Sequence, residues 1–170
     1  GNKLKAVNPC PKSWAKKPRM SDFEKWLNKS LKLLSFRPRS KKEILSWLER
    51  KKILPTLQKQ IISKLEELNF LNDEEFVKWW IEQRTIFRPM GRRRIEMELK
   101  QKGISGELVE SIKYQVSSKD EIEFARKAAE KKIRLWQNLP PDKFRQKLTG
   151  FLARRGFSWE TIKDVIKEID

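Results

Sequence analysis

The sequence predicts an all-α protein: a tandem array of three three-helix repeats, about nine helices, elongated and able to curve. Three observations predict it. Apolar residues recur at helical spacing, as in Ile44, Trp47 and Leu48, in Ile61, Ile62, Leu65 and Leu68, in Phe76, Val77 and Trp80, and in Ile162, Val165 and Ile166. No stretch alternates apolar and polar residues at period two, so strands are not expected. Third, the chain repeats itself. Phe36-Arg37-Pro38 returns as Phe87-Arg88-Pro89, and the same offset carries Ile44 onto Ile95, Leu48 onto Leu99 and Ile53 onto Ile104. One unit further on, Ile95 matches Leu148, Leu99 matches Leu152, and Gly103-Ile104-Ser105 matches Gly156-Phe157-Ser158. Ile61, Ile112 and Val165 coincide beyond that junction. Chance rarely keeps one spacing on both sides of a shared turn, so the period of about 50 residues is read as real.

The first unit, residues 21–72, is expected to hold helices at 21–35, 40–51 and 56–69. Ser40 caps the second of these, and Pro55 suits the first position of the third. The second unit, 73–117, places helices at 73–86, 91–102 and 106–116, with Asp73 as the cap of the first. The third, 118–170, places them at 119–137, 141–155 and 158–169. There Gly156 stops one helix and Ser158 caps the next. Ahead of these units, residues 1–20 carry six basic residues, three prolines and no acid. They read as a flexible basic arm or as a linker.

Charge narrows the class of partner. Forty Lys and Arg against 23 Asp and Glu, with no His, give +17. Such an excess opposes compaction but favours polyanions and acidic protein surfaces. Seven Trp and nine Phe in a chain that is 38% hydrophobic argue against disorder. Cys10 is the only cysteine, so no internal disulfide can form. The apolar runs are far shorter than the roughly 20 residues of a membrane span. The basic start has no apolar stretch behind it, so it does not read as a signal peptide. A cytoplasmic monomer without membrane contact is expected.

Catalytic chemistry finds few candidates. Without His, and with one Cys, neither a Cys/His zinc site nor a His-activated nucleophile can be assembled. No glycine-rich loop ends in Gly-Lys-Ser/Thr, so a P-loop NTPase is excluded. The acidic run Asp73-Glu74-Glu75 could in principle hold Mg²⁺, but acids belong in a first helical turn for dipole reasons alone. The expectation is a binding protein with no cofactor, no metal and no enzymatic centre.

The candidate binding residues are basic and lie at helix ends. Arg92, Arg93 and Arg94 fall in a first turn, where positive charge opposes the helix dipole by about a few tenths of a kcal/mol. Lys41 and Lys42 hold the equivalent place one unit earlier. Free N–H groups beside such side chains would suit phosphate or the carboxylates of a partner. The plainer reading is a solvated face, partly neutralised by Glu96 and Glu98, each four residues after an arginine. Arg37, Arg39 and Arg88 occupy the turns between first and second helices. Arg154 and Arg155 sit at a helix C-terminus, where cations are also expected for stability. Trp47, Trp80 and Trp136 read as core, Trp79 as a packing or interface residue, and Trp14 and Trp159 as exposed.

Three segments carry a family resemblance. Leu68-Asn69-Phe70-Leu71-Asn72-Asp73-Glu74-Glu75-Phe76-Val77-Lys78-Trp79-Trp80-Ile81 resembles the passage between the first two repeats of RecX proteins. Gly91-Arg92-Arg93-Arg94-Ile95-Glu96-Met97-Glu98-Leu99-Lys100-Gln101-Lys102-Gly103-Ile104 is similar to their second hallmark, and Phe151-Leu152-Ala153-Arg154-Arg155-Gly156-Phe157-Ser158 to that of the last repeat. Lys52-Ile53-Leu54-Pro55 departs from the pattern, which has glycine and an aromatic there, so that turn is expected to differ. The resemblance implies a regulator of the RecA recombinase that lodges in the groove of the RecA–DNA filament. There it would limit filament growth, ATP hydrolysis and strand exchange. Weak, salt-sensitive contact with single- or double-stranded DNA would accompany the charge. The alternative is a sequence-nonspecific DNA- or RNA-binding helical-repeat protein.

Overall fold

Helices begin where short polar side chains can take up free backbone N–H groups. In the computed structural model, which describes residues 20–169 apart from the side chains of 113–115, Ser21 and Glu24 form a reciprocal capping box ahead of α1 (Asp22–Phe36). Ser40 and Glu43 do the same ahead of α2 (Lys41–Arg50). Pro55 opens α3 (Pro55–Glu67). The expected basic arm, with Cys10 and Trp14, lies outside the described residues except for Met20.

The second unit begins one residue before its expected cap. Asn72 accepts from the N–H groups of Glu74 and Glu75 and caps α4 (Asp73–Glu82). Asp73 is therefore the first helical residue, and its carboxylate is used elsewhere. The helix does not run unbroken to 86: Gln83–Phe87 form a π-helical turn. There Thr85 is buried, with its hydroxyl on the Glu82 carbonyl at 3.2 Å. Next come α5 (Arg92–Gln101), whose cap residue Gly91 has no side chain to offer, and α6 (Gly106–Gln115). The third unit holds α7 (Ser118–Trp136), α8 (Pro141–Arg154) and α9 (Trp159–Ile169). The described residues contain nine α-helices and no strand.

Each triplet closes around its own core. Ile44, Leu48, Ile61 and Leu65 are fully buried in the first, with Trp26 edge-on to Trp47 at 5.8 Å. Phe76, Trp80, Ile95, Leu99 and Ile112 fill the second. Ala125, Ala129, Leu148, Leu152 and Ile162 fill the third. The closest helix–helix packing is within triplets: α1 and α2 on α3, α4 on α5 and α6, α7 on α8 and α9. The buried cores stay separate, and Phe124 of α7 packs against both the second and the third.

One turn shows how closely the units repeat. After α5 and α8, Gly103 and Gly156 adopt φ of 79° and 83°. The next N–H then bonds back to a buried leucine: Ile104 to the Leu99 carbonyl at 3.1 Å, Phe157 to that of Leu152 at 3.3 Å. After α2 the turn was expected to differ, because Lys52 replaces glycine. It does not. Lys52 takes φ 56°, and Ile53 bonds to the Leu48 carbonyl at 3.2 Å. Burial of Leu48 and Ile44 fixes the chain direction, and the lysine accepts a left-handed backbone that costs an L side chain roughly 1–2 kcal/mol.

Candidate binding surface

The basic helix starts are best understood from what they meet. Ser40, at the start of α2, donates its hydroxyl to the Lys102 carbonyl at 2.7 Å, at the end of α5. The Lys41 N–H donates to the Asp73 carboxylate at 2.9 Å, and Lys42 Nζ to the Gln101 carbonyl at 3.3 Å. The next junction repeats the plan. Gly91, at the start of α5, donates its N–H to the Arg155 carbonyl at 2.9 Å, at the end of α8. The Arg92 N–H donates to the buried carboxylate of Glu121 at 3.1 Å, and Arg155 Nη1 to the Pro89 carbonyl at 2.9 Å.

The second helices of the three units therefore run head to tail, the positive end of one dipole on the negative end of the next. This accounts for cations in first turns. Lys42 opposes the dipole of its own helix but satisfies a carbonyl at the far end of α5. It also corrects one expectation: the first N–H of α2 and the first of α5 are not free for an external anion, since Asp73 and Glu121 hold them.

Hydrogen bonds and ion pairs engage further candidates. Arg37 makes two hydrogen bonds to Glu43, at 2.9 and 3.1 Å, and its guanidinium lies 5.9 Å from the Trp79 ring across the junction. Lys102 reaches Glu43 at 2.6 Å. Burial would raise the Glu43 carboxyl, but the hydrogen bonds from Arg37 and Lys102 outweigh it and hold it at about 2. Arg39 donates to the Leu33 carbonyl, and burial followed by the charge of Arg37 lowers its guanidinium from the ordinary value. Lys41 pairs with Glu66 at 2.7 Å. Arg92 lies 3.6 Å from Glu96, and Arg94 lies 3.2 Å from Glu98, as the neutralised-face reading expected. Arg155 stacks over Phe151 at 5.0 Å, with its guanidinium lowered by burial and by nearby Arg88.

Arg88, Arg93 and Arg154 are exposed, as are Lys41, Lys42 and Arg94, which are engaged by Glu66, the Gln101 carbonyl and Glu98. Arg93 and Arg154 meet at the second junction. Arg93 and Arg94 from α5, Arg154 from α8 and Trp159 from α9 line one open hollow floored by Met97 and Phe157. Trp159 is 57% exposed there. The first junction has a hollow too, lined by Arg39, Lys42, Trp47, Arg50 and Lys102, with the Glu43 carboxylate among them. Each hollow combines guanidinium or ammonium groups with an indole, which suits an acidic ligand having flat or apolar parts.

Comparison with known proteins gives these units a family. Residues 72–111 match the model "RecX, second three-helix domain", and residues 119–166 match "RecX, third three-helix domain". Regulatory protein RecX of Chlorobaculum tepidum is 34% identical over 143 residues, covering 83% of this chain and 86% of that protein. The chain belongs to the RecX family. Regulatory protein RecX of Streptomyces coelicolor is 32% identical over 128 residues, 75% of this chain and 68% of its own. The crystal structure of RecX from Lactobacillus salivarius superposes with a TM-score of 0.76 at 26% identity, over 88% of this chain and 97% of that one. These relatives are named as regulatory proteins, not enzymes.

Within this RecX fold, sequence reasoning missed the acids that organise the junctions. Glu43, Asp73 and Glu121 bind backbone or side chains of the neighbouring unit, and Glu98 gathers Arg84, Arg94 and the Trp80 indole N–H at 2.7–3.2 Å. Glu98 carried a signal in its spacing from Arg94, and Asp73 only the signal of a helix cap. Trp159 was legible as exposed. Arg50, Met97 and Lys102 join the hollows only because consecutive units abut. Among the described residues no helix is long and apolar enough to cross a membrane.

Proposed function

We propose that this RecX-family chain regulates the RecA recombinase by occupying the groove of the RecA–DNA filament, where it restrains RecA ATPase, filament extension and strand exchange. Membership of the RecX family carries this reading. The two hollows at successive junctions, each lined by cations, support it: a ligand made of repeating acidic subunits meets basic side chains at both. Such a ligand shifts a filament equilibrium by binding one state better than another, which requires no catalytic group, cofactor or metal. The protein acts as a cytoplasmic monomer, through Arg93, Arg94 and Arg154 at one junction and Arg39 and Lys42 at the other, with Arg88 beside them. The test is RecA ATPase on single-stranded DNA with stoichiometric protein; suppression is expected, and an unchanged rate would sink the reading.

A second reading is a sequence-nonspecific nucleic-acid binder, favoured by exposed Trp159 among arginines. Salt separates the two. A nucleic-acid binder loses naked-strand affinity steeply with added salt, whereas the regulator prefers RecA-coated strand to bare strand.

A further inference from the structure

The tripeptide that first revealed the repeat has a property its repetition alone does not explain. Phe36 is 73% exposed and Phe87 is 74% exposed. Both stand at the corner between the first and second helix of their units. Single exposed apolar residues are ordinary. The same aromatic, equally exposed at the same corner of consecutive units, is not. Neither belongs to the cores, and the third unit does without one: its corner holds Leu139, half-buried, and Pro140. Folding therefore does not require the phenyl rings.

The backbone at both corners is anchored. Pro38 and Pro89 fix the backbone just beyond each phenylalanine. Arg39 ties the first corner to the Leu33 carbonyl, and the Met90 N–H ties the second to that of Arg84 at 3.0 Å. The π-helical turn Gln83–Phe87 ends on Phe87 and leaves Ile86 60% exposed beside it. Turns of this kind are frequent at functional sites. Each ring is followed in the chain by an arginine, Arg37 after Phe36 and Arg88 after Phe87. An exposed aromatic beside an arginine, carried on an anchored turn, suits an apolar pocket with carboxylates at its rim, and an anchored turn lowers the backbone entropy lost on docking.

We infer that Phe36 and Phe87 are paired anchors that insert into equivalent apolar, acid-rimmed pockets on two successive subunits of a repeating protein partner. This rests on the filament reading above and specifies its contact. Two equal anchors one repeat apart match a partner that presents the same pocket at regular intervals, and each docking raises the effective concentration of the other.

The experiment compares the full chain with Phe36→Ala, Phe87→Ala and the double variant, binding RecA filament on single-stranded DNA and bare single strand alike. Each single change is expected to weaken filament binding about tenfold, and the double about a hundredfold, because the anchors lie in separate units. Bare-strand affinity and melting temperature should hold. Leu135→Ala, also exposed but without a counterpart in the repeat, serves as control and should bind as wild type. If the double variant binds filament as tightly as wild type, or if only one phenylalanine matters, the paired-anchor inference falls while the filament reading stands. A wild-type chain that ignores the filament overturns both.

Discussion

The N–H of Gly91 donates to the carbonyl of Arg155 at 2.9 Å, so the start of α5 is bonded backbone to backbone to the end of α8. Nothing larger than glycine fits at that contact. A Cβ on residue 91 would lie 2.2 Å from the Gly156 carbonyl oxygen and 2.3 Å from the Phe157 nitrogen. Gly91→Ala is therefore expected to push the second and third units apart and cost about 1–3 kcal/mol, the range for overpacking. Hydrogen exchange at residue 91 together with thermal melting would check it. Protection and melting temperature equal to wild type would show that the junction yields freely.

Lys52 offers the opposite experiment. Its φ of 56° is the left-handed conformation that glycine occupies at 103 and 156. Lys52→Gly should stabilise the first unit by about 0.5–1 kcal/mol. Relief of backbone strain outweighs the greater freedom that glycine gives the unfolded chain. Gly156→Ala should do the reverse, and by more, because its Cβ would also meet Arg94 at 2.5 Å. Melting curves for the two variants should move in opposite directions.

The first junction is expected to weaken in acid. Glu43 ordinarily titrates at 4.5 and is held at about 2 in the folded chain. Its contribution is therefore complete above pH 4.5 and is lost as the pH falls through about 2. By linkage the loss is on the order of 3 kcal/mol across that window. Glu43→Gln, which cannot titrate, should start less stable and show a flatter dependence between pH 5 and 3. Parallel curves for variant and wild type would mean that Glu43 is not the group responsible.

Binding and stability should separate at the second hollow. Arg93 and Arg154 are exposed and line it, whereas Arg92 and Arg94 pair with Glu96 and Glu98. Arg93→Ala with Arg154→Ala should weaken binding to filament or strand while leaving the melting temperature within about 1–2 °C, since exposed positions away from networks change stability little. Adding Arg94→Ala should lower it further through the Glu98 network that holds Arg84 and Trp80. A melting temperature lowered by the first pair alone would make those arginines structural.

What was legible in the residues was local. The spacing of Ile44 and Leu48, Ile95 and Leu99, and Leu148 and Leu152 marked the faces that end fully buried. Ser40, Pro55 and Ser158 marked helix starts, because a cap acts within three residues of itself. The repeat followed from comparing these local patterns. The choice of Asn72 over Asp73 as cap was not legible, since both side chains suit the role. It was made when the Asp73 carboxylate took up the Lys41 N–H.

The sequence by itself thus determined helices, triplets and their periodicity, because each depends on neighbours a turn or two away. Tertiary structure alone decided that the second helices abut end to end, that Lys42 reaches a distant carbonyl, and that Phe36 and Phe87 stay in solvent. Those outcomes depend on groups such as Ser40 and Lys102 meeting across 62 positions of chain. No single segment encodes the placement of one finished unit against the next.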